Sequence, residues 1–475
     1  MPDIDPLIAS PARALVERLR TGEITPHDLL DALAARIAAV DPAVNALPTL
    51  CLDRARARAD ALMAKPVEHR GPLAGLPVPI KDVTPVEGVR CTYGSPIFAD
   101  NVAAASDLTV QRLEASGGLV YAKSNTPEFA AGAHTFNPVF GVTRTPWNTA
   151  LSPAGSTGGG AAALASGMAW IAQGTDFGGS LRTPATFCGV VGLRPSPGRV
   201  AQGPGPSPFQ SVSVSGPMAR NVDDLALALD AMTGASARDP LSIESPLHRF
   251  SAATRAPEAP NRVAFSADLG LTPVDREIAA ICRKAAEALA RAGVDVDEAH
   301  PDLTGARDCF NAIRGAHFAT AHSALLSSHR DQLKPDVVWN IEQGLKLSAG
   351  DLAGAERIRA RLCAAMAAFE ETYDLLIVPG AIVPPFPVEQ RTVTECNGVT
   401  FETYVDWLAI TYSLSLLGRP VLALPCGRTM DGLPVGLQLV GPHRGEALLL
   451  KWAAWIEATL DAGFGRPIDP IAAAA

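Results

Sequence analysis

An α/β layered fold is what this sequence predicts, on three observations. Segments of helical periodicity alternate with short apolar, β-branched runs bounded by Gly or Pro. The chain has 475 residues, 47% hydrophobic and 19% charged, enough for a large core. No internal repeat or low-complexity tract breaks the alternation.

Residues 1–65 read as helical. Thr25 is placed as an N-cap with Pro26 at the first helical position, opening DLLDALAARIAAV; CLDRARARADALM makes a second helix. LAGLPVPIKDV (73–83) changes character to a buried strand and its exit. DLTVQRLEASGG (107–118) is a helix ending at glycine, and LVYAKSN (119–125) a strand. GGGAAALASGMAW (158–170) reads as a helix whose small side chains permit close packing, and NVDDLALALDAMTGA (221–235) as one capped by Asn221. A Pro-rich link near 256–260 leads into strand RVAFSAD and helix PVDREIAAICRKAAEALARAG. Residues 300–370 are mostly helical and hold His317, His322 and His329. YDLLIVPGAIVPPFP (373–387) is a strand entering a Pro-rich loop. RPVLALPCG (419–427) and GLPVGLQLVG (432–441) read as adjacent strands before a closing helix, EALLLKWAAWIEATL.

Composition excludes several classes. A net charge of −9, with no basic run interleaved with aromatics, argues against nucleic-acid binding. The eight cysteines are scattered without a CxxC pair, so reduced, buried thiols are expected rather than a disulfide framework or a zinc site. The first residues lack the apolar region of a secretion signal, and the longest apolar helical stretch, 161–172, is too short to span a bilayer. A cytoplasmic location without membrane association is the expectation.

Three places hold candidate chemistry. Lys81 directly follows the apolar run PLAGLPVPI. A buried, unpaired lysine lowers its pKa and becomes a general base; the plain alternative is that it lies beyond the strand and reaches water. Lys123, ending LVYAK, is the same residue type, and there the plain alternative is kept. SPAGSTGGGAAALASG (152–167) is a Gly-rich loop feeding a helix, where Ser156 or Thr157 is either a cap or a reactive hydroxyl. QGTDFGGSLRTPA (173–185) sets Ser180 after two glycines, with Asp176 and Arg182 close by. GxxxxGK[ST], GxGxxG, GxSxG, SxxK and HExxH are all absent, and no histidine sits beside a serine in a recognisable triad setting. No metal or organic cofactor is indicated.

In order and spacing, GLPVPIKD (75–82), PAGSTGGGAAALASG (153–167) and GTDFGGSLRTPATFCGVVGLRPSPGRV (174–200) resemble the amidase signature family of C–N hydrolases. SGPMARNVDDLALALDAM (215–232), YDLLIVP (373–379) and the strand pair within 419–441 extend the likeness. The resemblance implies a central mixed β-sheet flanked by helices on both faces. It implies a helical segment over 1–65 and a signature domain over 66–475, with a catalytic core at 70–240 and a variable pocket region at about 256–400. It also implies a Ser–cis-Ser–Lys triad of Ser180, Ser156 and Lys81, with a cis peptide between Gly155 and Ser156. The backbone N–H groups of Phe177, Gly178, Gly179 and Ser180 would form the oxyanion hole.

The chain departs from the family pattern PGGSSGGS at Ala154, Thr157 and Gly160, and has Phe177 where threonine is common. Thr157 keeps a hydroxyl; Gly160 removes a side chain. Asp176 and Arg182 are expected to form an ion pair or to anchor the loop. Variable stretches 125–141, about 300–350 and 387–412 hold Phe129, Phe136, Phe140, Phe310, Trp339, Tyr404 and Trp407, of which Phe129, Phe136, Trp339 and Trp407 are the pocket candidates. The substrate expected from them is a small or medium hydrophobic or aryl amide, an anilide or a carbamate, with esters as a further possibility. A homodimer is the oligomeric expectation. Two alternatives stand beside this reading. One is the glutamine-hydrolysing component of an amidotransferase for aminoacyl-tRNA; the other is a non-catalytic scaffold.

Overall fold

Aliphatic runs buried on both faces set the architecture, because their backbone polar groups find partners only inside a sheet. The computed structural model describes residues 4–203 and 205–472. Eleven strands join in one mixed sheet. Across it they run Thr49–Leu50, Leu119–Ser124, Pro77–Lys81, Ile171–Asp176, Val214–Ala219, Val191–Arg194, Val421–Arg428, Pro434–Val440, Leu375–Pro379, Arg262–Phe265 and Asp295–Glu298. Pro77–Lys81 is parallel to both its neighbours. Pairing is antiparallel through the middle of the sheet and parallel again beyond Leu375–Pro379. Helices flank this sheet, as the sequence predicts. Thr49–Leu50 is a departure within the stretch read as helical; it pairs antiparallel with Leu119–Ser124 at the sheet edge. Among the described residues no helix is long and apolar enough to cross a membrane.

Local signals account for the helix ends. Thr25 and Asp28 form a reciprocal capping box before Pro26–Val44. Asn221 caps Val222–Met232 by accepting from the Asp224 N–H. The Gly-rich helix is Gly158–Ala165, shorter than the 158–170 span expected. Gly167 adopts φ 77° and ends it, so Met168–Trp170 lead into the Ile171–Asp176 strand instead.

Two features of this frame place the functional residues. Pro77–Lys81 and Ile171–Asp176 are parallel neighbours, so their carboxyl ends, Lys81 and Asp176, emerge on the same side. The helix Gly158–Ala165 is buried along its whole length. A Cβ on Gly159 would lie 2.4 Å from the Asn125 backbone nitrogen and 2.7 Å from the Ala46 oxygen. Only glycine permits that approach, and it fixes the loop before the helix against the strands.

This packing predicts that Gly159→Ala destabilises by about 1–3 kcal/mol through forced backbone shifts. Gly354→Ala, in the helix Ala349–Glu370 where the nearest atom is Arg357 Nη2 at 3.8 Å, should stabilise by up to about 1 kcal/mol. Thermal denaturation of the two variants checks both; an unchanged melting temperature for Gly159→Ala contradicts the close approach.

Candidate active site

Lys81 is the last residue of its strand and is fully buried. Its Nζ donates to Ser156 Oγ at 2.6 Å, to Thr157 Oγ1 at 3.0 Å and to Thr175 Oγ1 at 3.0 Å. Its backbone N–H donates to Gln173 Oε1 at 3.1 Å. All the side-chain acceptors around the amine are uncharged. Lys123, equally buried, is different: it pairs with Asp82 Oδ1 at 3.3 Å and donates to the Thr84 carbonyl at 2.8 Å. Burial pushes the Lys81 ammonium down to about 7, with Asp176 opposing part of the shift. A neutral amine at near-neutral pH can accept a proton from the hydroxyl it touches.

Ser156 follows a cis peptide from Gly155. The Thr157 N–H donates to the Ser180 carbonyl at 3.2 Å, tying the two Gly-rich loops together. Gly155, Ser156, Thr175, Phe177, Gly178, Gly179 and Ser180 all border one narrow cavity of about 80 Å³. The structure thus joins Lys81 to Ser156 directly and brings Ser180 to the same cavity. The hydrogen bonds of the described residues do not include one between Ser156 Oγ and Ser180 Oγ.

Asp176 organises the Ser180 loop. Its carboxylate accepts from the N–H groups of Gly179 and Leu181, each at 3.0 Å. Arg182 forks onto it through Nε at 3.1 Å and Nη2 at 3.0 Å, and Arg194 Nη1 reaches Oδ1 at 3.2 Å. All three side chains are fully buried. Burial disfavours the Asp176 carboxylate, but Arg182 and Arg194 outweigh it and hold its pKa well below the usual range. Arg182 also donates to the Thr411 carbonyl, Gln438 Oε1 and Ser415 Oγ, which fastens the loop to distant segments. The ion pair and the anchoring are one structure.

This network corrects one expectation. The Gly179 N–H is committed to Asp176, so it is not free for an oxyanion. The N–H groups of Phe177, Gly178 and Ser180 are left as candidate donors. Gly179 itself has φ 123°, and a Cβ there would lie 2.6 Å from Thr411 Oγ1. Thr411 Oγ1 in turn donates to the Gly178 carbonyl at 2.7 Å and holds that peptide's orientation.

Phe177 borders the cavity, with ring centroids 5.7 Å from Phe310 and 5.1 Å from His317. Phe129 borders it as well, as do Phe310 and Tyr404. Phe136, Trp339 and Trp407 do not. Phe136 lies beneath the cations of Lys334 and Arg391. Trp339 packs on Tyr404 and faces a neighbouring cavity. Trp407 is in the core beside Phe386. A Cβ on Gly160 would lie 3.8 Å from Ser124 Oγ, a buried hydroxyl with no partner among the described residues. The departure at Gly160 therefore removes a side chain beside a polar group.

Sequence reading passed over Thr175, Arg194 and Thr411. Strand alternation puts Thr175 on the face of Gln173, which already holds the Lys81 backbone. Arg194 ends the apolar run VVGLR, the same signal that marked Lys81. Nothing local marks Thr411.

With the fold and the geometry of the site in place, comparison with known proteins gives the class. The family model described as Amidase matches residues 28–450. An acylamidase of Rhodococcus erythropolis is 34% identical over 470 residues, covering 98% of each chain. A glutamyl-tRNA(Gln) amidotransferase subunit of Synechococcus sp. (strain RCC307) is 32% identical, covering 98% of this chain and all of its own. The crystal structure of a bacterial aryl acylamidase of the amidase signature enzymes superposes with TM-score 0.90 at 26% identity, covering 96% of this chain and 97% of the other. This chain belongs to the amidase signature family, and is an amidase-type hydrolase.

Two substitutions test the electrostatics. The folded pKa of Lys81, about 7, lies below its ordinary 10.5. Between those values the unfolded chain binds the extra proton, so this group's contribution to stability rises with pH. The stability difference between Lys81→Met and the parent should thus favour the variant most below pH 7 and shrink toward pH 10, as read by melting temperature. Asp176→Asn leaves two guanidinium groups without their buried anion and should cost about 3–5 kcal/mol in denaturant unfolding.

Proposed function

We propose that this protein hydrolyses the C–N bond of small or medium hydrophobic or aryl amides, anilides or carbamates, with esters as side substrates. The observation that carries the reading is the Lys81 amine, held by uncharged acceptors, 2.6 Å from Ser156 Oγ beside the cavity that Ser180 borders. Neutral Lys81 accepts the Ser156 proton while Ser156 accepts that of Ser180. Ser180 Oγ bonds to the carbonyl carbon, and the former carbonyl oxygen takes the negative charge. The N–H groups of Phe177, Gly178 and Ser180 are the proposed donors for that charge, each worth about 3–4 kcal/mol when such a donor is removed. The C–N bond then breaks, and the amine leaves with the proton returned through Ser156. Water adds to the acyl-enzyme by the same relay in reverse and releases the acid.

The acylamidase and aryl acylamidase relatives support the aryl amide class. So do Phe129, Phe177, Phe310 and Phe318 around the cavity. A second reading, glutamine hydrolysis within an amidotransferase, is favoured by the glutamyl-tRNA(Gln) amidotransferase relatives.

A panel of anilides, aliphatic amides, carbamates, esters and glutamine, assayed on the isolated chain, separates these readings. Anilide turnover is expected; glutamine turnover that needs partner proteins supports the second. Ser180→Ala should lower kcat at least about 10⁴-fold with an unchanged melting curve, and a fluorophosphonate should label the parent but not this variant. For the parent, kcat/KM should fall as pH drops below about 7, when Lys81 becomes protonated. A flat profile there argues against Lys81 as the base.

A further inference from the structure

Arg314 stands in the helix Ala306–His329 and is only 7% exposed. Of the residues bordering the cavity it alone is an ordinary bearer of charge; the others are apolar, hydroxyl-bearing or histidine. Burial holds His317 and His322 down to about 4, so neither adds charge near neutrality. Arg314 Nε donates to Asn340 Oδ1 at 2.9 Å and Nη2 to Tyr404 Oη at 2.9 Å. Among the described residues, Nη1 has no hydrogen-bond acceptor, and no ion pair includes this guanidinium. Arg220, also buried and in no ion pair among the described residues, spends its guanidinium on the Ile8 and Ser10 carbonyls, away from the cavity; the remaining enclosed arginines face carboxylates. Arg182 and Arg194 face Asp176, Arg199 faces Glu446 and Arg419 faces Glu370.

An enclosed cation without a counter-ion is costly. The rings of Phe318, Tyr404 and Phe177, at 4.8, 5.9 and 5.8 Å from the guanidinium carbon, offset part of that cost. Asn340 and Tyr404 fix the group in one orientation, which is the arrangement of a recognition site rather than of a charge left to find water. Phe177 also precedes the Gly178–Ser180 turn, so the free charge sits beside the proposed nucleophile loop.

We infer that the substrate supplies the missing counter-charge: an amide whose acyl or amine part carries a carboxylate, seated against Arg314 while its apolar body lies along Phe177, Phe310 and Phe318. Planar carboxylate suits a guanidinium held this way. The inference rests on the amidase reading and adds to it a substrate class, an amphipathic acid amide rather than a wholly apolar one.

The test uses three anilides on the full chain. Butyranilide is neutral, succinanilate carries its carboxylate on the acyl side, and 4-butyramidobenzoate carries it on the amine side. One of the two acids should exceed butyranilide in kcat/KM by about 10–100-fold, mostly through KM, and which one it is tells the side on which Arg314 acts. Arg314→Met should collapse that preference, and Arg314→Lys should retain part of it. Butyranilide turned over as well as both acids overturns the inference and leaves the amidase reading standing. A preference that survives in Arg314→Met overturns the assignment to Arg314. No turnover of any of the three by the parent overturns both readings. Should Arg314→Met fail to fold, the parent's substrate preference and Arg314→Lys still decide.

Discussion

A lysine amine held inside the protein by uncharged oxygens, three of them hydroxyls, is the interaction on which the site depends. Had Lys81 met a carboxylate, it would be a structural cation like Lys123 beside Asp82. Its partners are instead Ser156, Thr157 and Thr175. Desolvation, only partly offset by Asp176, lowers its proton affinity into the range where a base is useful. The same sheet therefore holds two buried lysines on adjacent parallel strands, and one nearby anion decides that they differ.

The opposite arrangement stands at the end of the neighbouring parallel strand. Asp176 is surrounded by two guanidinium groups and two backbone N–H groups, and so stays ionised although it is fully buried. Its task is to hold shape. By taking the N–H of Gly179 and of Leu181 it bends the chain around Ser180, and through Arg182 it links that bend to the Thr411–Ser415 region. A lowered pKa on the proposed base and a rigid charged anchor beside the proposed nucleophile are complementary uses of the same dry interior. The coulombic effect of Asp176 on Lys81 works against the lowering, and burial prevails.

The departures from the family pattern fall into this scheme unevenly. Thr157 takes over a hydrogen bond to Lys81, so the substitution keeps the acceptor and adds a methyl. Phe177 becomes a wall of the cavity, packed on Phe310 and His317. Gly160 stands beside Ser124 Oγ, which has no hydrogen-bond partner among the described residues.

Much of the fold and of the candidate site was legible along the chain, because those signals are local. Alternation, caps and turn residues set the elements, and Lys81 is conspicuous for following an apolar run. The ordered loops around Ser156 and Ser180 identify the family. What the chain alone left open is which groups face one another. Lys81 and Lys123 look alike in sequence, and only the position of Asp82 separates them. Phe136, Trp339 and Trp407 look as suited to a pocket as Phe129, yet three of the four turn elsewhere. Arg314, Thr411 and the commitment of the Gly179 N–H emerge only after helices and loops from distant parts of the chain have packed together. The sequence determined the sheet, the helix ends and the chemical types at the site, since these follow from neighbours within a few residues. Tertiary structure decided the charge state of the lysine and the lining of the cavity, since burial and ion pairing are properties of the space around a side chain.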